Sequence, residues 1–216
     1  MGRHRPDVGA VRKDLHTAAA AIIGSLPGFT LPFVAALVLE PEDSDLLLLA
    51  MSVAITVSVI VSSAVELTTI AEYGRVLGRD RNPAPGALRD YRRRVLLFAT
   101  ALTVLVVPAL AIAYAIGSPA RGEFVALVCA VAPAPLLAAI ASILSGECIA
   151  RGGPTVPIAV QAMRTLLPAV LLAVWWDAPL VVVAAMLPAG EAARAVVLGV
   201  AVRRLRAQQA GARTGR

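Results

Sequence analysis

The chain has 216 residues, of which 58% are hydrophobic and 16% charged, and its mean hydropathy is +0.78. That balance lies outside the soluble globular norm and inside the membrane class. The formal charge of +6 would suit a nucleic-acid partner, but aromatics make up only 4% of the chain, too few for a base-stacking surface. No nucleic-acid partner is expected.

Residues 1–14 form a polar segment with Arg3, Arg5, Arg12 and Lys13. A first apolar run, Leu15 to Leu39, carries Pro27 and Pro32. It is too long for the apolar core of a signal peptide, and its Ala18–Ala21 stretch precedes the apolar residues that a cleavage site would follow. The acidic turn Glu40-Pro41-Glu42-Asp43-Ser44-Asp45 leads into a second run, Asp45 to Gly78. Each run exceeds the roughly 20 residues needed to cross a hydrocarbon core about 30 Å thick, so 15–73 reads as a membrane-spanning hairpin. The loop that follows holds Arg75, Arg79, Arg81, Arg89, Arg92, Arg93 and Arg94.

A third run, Val95 to Ile116, contains Pro108, and the turn GSPARGE opens a fourth, Phe124 to Leu144, with Pro133 and Pro135. The stretch Ser145–Gly153 reads as a break. A fifth run spans Pro154 to Trp176, Asp177 marks its end, and a sixth spans Pro179 to Val202. The expected fold is therefore all-α. It is a single polytopic domain of six transmembrane helices over residues 15–202, with a basic tail at 203–216 and no internal repeat. Nearly every Lys and Arg falls in residues 1–14, the second loop, the 145–153 break or the tail, while the opposite side's loops carry only Arg121. This asymmetry predicts both termini in the cytoplasm, as a multi-pass protein of the cell inner (plasma) membrane.

Ionisable groups at membrane depth are expensive and mark functional candidates. Glu66, Arg164, Glu191 and Arg194 are the four. Arg164 and Glu191 both fall near the expected midplane, which predicts an ion pair between them, shared by Arg194 three residues along the same helix face. Such a pair either fixes helix register or lines a cavity that meets a charged headgroup, with snorkelling of Arg194 toward the cytoplasm as a third option. Glu66 lines a cavity or sits in the inner interface. Arg92, Arg93 and Arg94 serve as a topogenic signal or face anionic headgroups.

Catalysis is not expected. His4 and His16 both lie at or before the edge of the first span, and there is no HExxH and no GxxxxGK[ST]. Asp45 and Asp177 lie at loops rather than within spans. Cys129 and Cys148 read as small buried hydrophobes. No catalytic, cofactor-binding or metal site follows.

Several stretches carry a family resemblance: Gly28-Phe29 followed by FVAALVLEPEDSDLLLLAMSV (33–53), IAEYGRVLG (70–78), SILSGECIARGGPTVPIAVQAMRTLLPAVL (142–171) and LPAGEAARAVVL (187–198). The chain resembles the amino-terminal six-helix lobe of the lipid II (murein-precursor) flippase family, within the multidrug/oligosaccharidyl-lipid/polysaccharide exporter superfamily. In that family an Arg-Asp pair soon after the GF faces the central cavity; here Leu31 and Pro32 stand there, and of the cavity charges on the first two helices only Asp45 has a match. Members of the family have two lobes, and this chain has one. The resemblance implies a half-size flippase or exporter that moves a lipid-linked saccharide or other amphiphile. It would be completed as a homodimer or by a second six-helix membrane protein, with membrane lipids as its surroundings. Two other readings stand beside it: a non-transporting accessory protein of cell-envelope synthesis, such as peptidoglycan assembly, and a small-molecule drug exporter with Glu66 or Glu191 as coupling carboxylate.

Overall fold

The computed structural model describes residues 27–79, 88–115 and 121–214. Among them the chain is helical throughout, with no strand. In chain order the helices are α1 (Pro27–Val38), α2 (Pro41–Arg79), α3 (Arg89–Ala115), α4 (Arg121–Val131), α5 (Ala134–Ala150), α6 (Thr155–Ala159), a 3-10 turn at Val160–Ala162, α7 (Met163–Val174) and α8 (Leu180–Thr214). Four stretches are long and apolar enough to cross a membrane: Pro41–Gly78, Gly122–Ala150, Thr155–Val174 and Leu180–Gly211. The expected first span is described only from Pro27 onward. The expected third is helical as far as Ala115; Ile116 lies outside the described residues.

The acidic turn is shorter than its composition suggests. Pro41 starts α2, where a missing N–H loses nothing, and Glu42 and Asp43 complement the positive end of the helix dipole in the first turn. Asp45, expected in the loop, is therefore already helical. At 39 residues α2 is about 58 Å long, so it overshoots a hydrocarbon core of about 30 Å. Pro133 and Pro135 interrupt the next span between α4 and α5, since neither has an N–H to give the ladder. The ladder resumes when the Leu137 N–H donates to the Pro133 carbonyl at 3.1 Å.

Two expected helix ends move outward. The fourth run does not stop at Leu144: Ser145 and Gly146, read as breakers, are helical contact points inside α5. The helix ends at Ala150, and the chain turns away at Gly152, whose φ of 84° favours glycine. The Gly152 N–H donates to Ile149 at 2.8 Å and the Gly153 N–H to Cys148 at 3.0 Å, a Schellman closure. The sixth run does not stop at Val202 either. Residues 203–214 are rich in Arg, Ala, Leu and Gln, all good helix formers, and α8 continues to Thr214.

The main core packs Leu31 and Ala35 of α1 and Leu47, Ala50, Met51 and Ala54 of α2 against α4, α7 and α8. The most extensive pairing is α2 with α5, followed by α5 with α8 and α7 with α8. Beside this apolar core, the burial pattern departs from that of a water-soluble protein. Glu147, Glu191 and Arg194 are among the largest fully buried side chains, whereas Phe33, Leu37, Leu67, Leu105 and Val196 are more than half exposed. Lipid as the outer solvent accounts for both halves of that pattern, because charges then face inward and alkyl groups need no cover.

Candidate functional site

The first charged centre is built on α8. Gly190 lies so close to α7 that an added Cβ would stand 2.6 Å from the Met163 carbonyl oxygen and 2.7 Å from the Arg164 Cα. Small residues let helix backbones approach in this way. Glu191, the next residue, points about 100° away round the helix and is fully buried. Its Oε2 accepts from Arg194 Nη1 at 3.2 Å, one turn along α8, with side-chain exposures of 1% and 2%. The expected direct pair between Arg164 and Glu191 is not the one that forms. The same-helix partner at i+3 is closer, and Arg164 stays within electrostatic reach of both groups.

Arg164 instead lines a groove of about 390 Å³ together with Ser62, Ser63, Glu66, Gln161 and Arg194. Three of the four membrane-depth charges expected from the sequence thus share one cavity, and the fourth, Glu191, is bonded to its wall. Two backbone features hold Arg164 there. The 3-10 turn at Val160–Ala162 re-aims the chain just before it, and Pro168, lacking an N–H, leaves the Arg164 carbonyl without its helical donor. Opposite, Glu66 is half-buried, and its carbonyl oxygen lies 3.2 Å from the position of a Cβ on Gly146, where α2 and α5 approach closely. Glu191 Oε1, Arg194 Nε and Ser62 Oγ are buried without a hydrogen-bond partner. A groove that offers a carboxylate, two guanidiniums and unfilled hydrogen-bonding capacity is suited to a polar or charged headgroup on an apolar body.

The second centre was missed in the sequence. Glu147 of α5 is completely buried and gathers three arginines from three helices. Arg151 Nε donates to Oε1 at 2.9 Å, Arg206 donates from Nε to Oε1 and from Nη2 to Oε2 at 2.8 Å each, and Arg92 Nη2 donates to Oε2 at 3.0 Å. Arg92 Nε also donates to the Tyr73 hydroxyl at 2.9 Å, and Arg151 Nη1 to Gln209 Oε1 at 2.6 Å. The clasp ties α2, α3, α5 and the α8 extension together. Of the three arginines expected to face headgroups, Arg92 is half-buried in this clasp, whereas Arg93 and Arg94 are exposed. Arg94 lines a separate groove of about 510 Å³ between α2 and α3 with Thr68, Glu72, Arg75 and Tyr91.

Glu147 escaped notice because it stood in a stretch taken for a break. A signal was present. Gly146-Glu147 with Arg151 (GECIAR) and Gly190-Glu191 with Arg194 (GEAAR) share one arrangement: a glycine for close approach, a glutamate beside it, an arginine one turn on.

Of the cysteines, Cys148 is buried as expected, while Cys129 is exposed; both are free. Among the described residues no three His, Cys, Asp or Glu gather as metal ligands would. No protein-family model, no curated protein and no solved structure matches the chain.

Proposed function

We propose that the chain is one six-helix wall of a half-size flippase- or exporter-like protein, moving a lipid-linked saccharide or another amphiphile. In this reading α1 and α3 belong to the two remaining spans, the basic end faces the cytoplasm, and the membrane is the cell inner membrane. The observation that carries it is the groove of Glu66, Arg164 and Arg194. Charges at membrane depth are retained where they meet a polar cargo, and the cavity is open on one side, as half of a two-walled cavity is. A homodimer or a second six-helix protein supplies the other wall.

The test is reconstitution of the purified chain in proteoliposomes with a fluorescent lipid-linked saccharide and an impermeant quencher. The wild type exchanges the probe between leaflets. Arg164→Ala and Glu66→Ala slow exchange at least tenfold, the scale of one lost charge-assisted contact. Single cysteines along α2, placed in a Cys129→Ser, Cys148→Ser background, crosslink to a second copy or to one other membrane protein. A folded monomer that exchanges nothing would overturn the transport reading and favour the accessory one.

A further inference from the structure

The clasp holds more positive charge than its carboxylate neutralises. Three guanidiniums surround Glu147, and among the described residues no second acid pairs with any of them. Two positive charges are in excess at a place where the central carboxylate has no solvent contact. Arg151 is consumed by the interior, at 5% exposure and bonded on to Gln209. Arg92 and Arg206 are not: their side chains are 38% and 46% exposed. Their Nη2 groups converge on the same oxygen, Glu147 Oε2, at 3.0 and 2.8 Å. Their Nη1 groups meet no acceptor among the described residues.

We infer that the outer faces of Arg92 and Arg206 form a binding site for a phosphate group. Two planar forks fixed on a common carboxylate, opening outward with donors to spare, match the several acceptor oxygens of a phosphate. An excess of two positive charges balances its charge. Tyr73 orients one fork, since its hydroxyl accepts from Arg92 Nε. Glu147 orients the other, through the side-on pair to Arg206. Either a lipid headgroup or a soluble phosphate presents this chemistry. The site stands on the clasp alone and does not depend on transport through the groove.

The test places the full chain in phosphatidylcholine nanodiscs and follows its thermal unfolding midpoint. One arm adds inorganic pyrophosphate to the buffer, and the other replaces part of the bilayer with phosphatidylglycerol. A rise with pyrophosphate assigns the site to free phosphate groups, and a rise with phosphatidylglycerol alone assigns it to headgroups. Arg92→Gln and Arg206→Gln are expected to weaken the response about tenfold. Arg203→Gln, an exposed neighbour of Arg206 on α8, leaves it unchanged. If Arg206→Gln does not fold, Arg206→Lys keeps the charge without the fork and responds several-fold more weakly than wild type. No rise in either arm, or an equal loss in Arg203→Gln and Arg206→Gln, overturns the site.

Discussion

Gly190→Ala tests whether the α7–α8 contact is as tight as the geometry requires. The new methyl carbon would sit 2.6 Å from the Met163 carbonyl oxygen, 2.7 Å from the Arg164 Cα and 3.1 Å from the Met163 carbonyl carbon. All three are backbone atoms, so no side chain can rotate away, and α8 must separate from α7 by several tenths of an ångström. Overpacking of this kind costs about 1–3 kcal/mol. Against it stands the intrinsic preference of a helix for alanine over glycine, about 1 kcal/mol. With three backbone atoms met at once the cost falls in the upper part of that range, about 2–3 kcal/mol, and the balance is a destabilisation of about 1–2 kcal/mol. Gly74 supplies the control: it is also helical, but an added Cβ meets nothing within 4 Å, so Gly74→Ala keeps only the favourable term and stabilises by about 0.5–1 kcal/mol. The two variants, unfolded by dodecyl sulfate titration in mixed micelles, should therefore move in opposite directions. If Gly190→Ala matches or exceeds wild-type stability, the close approach of α7 and α8 is not real, and the placement of Arg164 beside Glu191 fails with it.

Glu147→Ala leaves three arginines facing one another and should lose about 3 kcal/mol in the same titration. That is the low end for breaking a buried pair, because two of the three guanidiniums reach water; an unchanged midpoint would refute the clasp. Glu191→Ala and Arg194→Ala should each cost about 3–5 kcal/mol by stranding a buried charge, while the double variant Glu191→Leu, Arg194→Met recovers most of the loss. Additive single losses would mean that the two groups do not pair. Trp175 and Trp176, 49% and 77% exposed at the turn between α7 and α8, should be quenched more by bromine placed shallow in the acyl chains than deep, as aromatic interface anchors are. Stronger deep quenching would place that turn inside the membrane.

The apolar runs were legible because a continuous alkyl stretch has few other uses, and Glu66, Arg164, Glu191 and Arg194 were legible because a charge inside such a run is conspicuous. Pairing was not. Distance from the span ends puts Arg164 and Glu191 at one depth but says nothing of which helix faces which, and the i,i+3 partner on α8 was the nearer competitor. Helix ends were misjudged for a related reason. Ser145 and Gly146 break helices in water, yet against α2 they are where two backbones touch: the Thr69 Cβ lies 2.7 Å from a Cβ placed on Gly146. Arg206 was hidden in a stretch read as a basic tail that is helical by propensity, and its partner Glu147 sat in the supposed break. Each error concealed the other.

The two Gly-Glu arrangements explain how a bundle with so many exposed apolar side chains can keep charges inside. A glutamate in a helix facing lipid must be shielded on every side. Gly146 and Gly190 do this by bringing a second backbone to van der Waals limits one residue away, so that helix walls rather than long side chains exclude solvent. The arginine that follows a turn later is then both counter-ion and plug. At the α8 mid-span the device closes on itself, with one glutamate and one arginine buried to within 2%. At the basic end it remains open, because Arg92 and Arg206 arrive from other helices and keep part of their surface outside. Glu147 and Glu191 are held by the same local chemistry, but only the first gathers more positive charge than it neutralises. That inequality separates a charge pair that secures a wall from a cluster equipped to hold a ligand. Arg206 lies 12 residues beyond Arg194, about 18 Å along α8, so one helix connects the groove to the clasp.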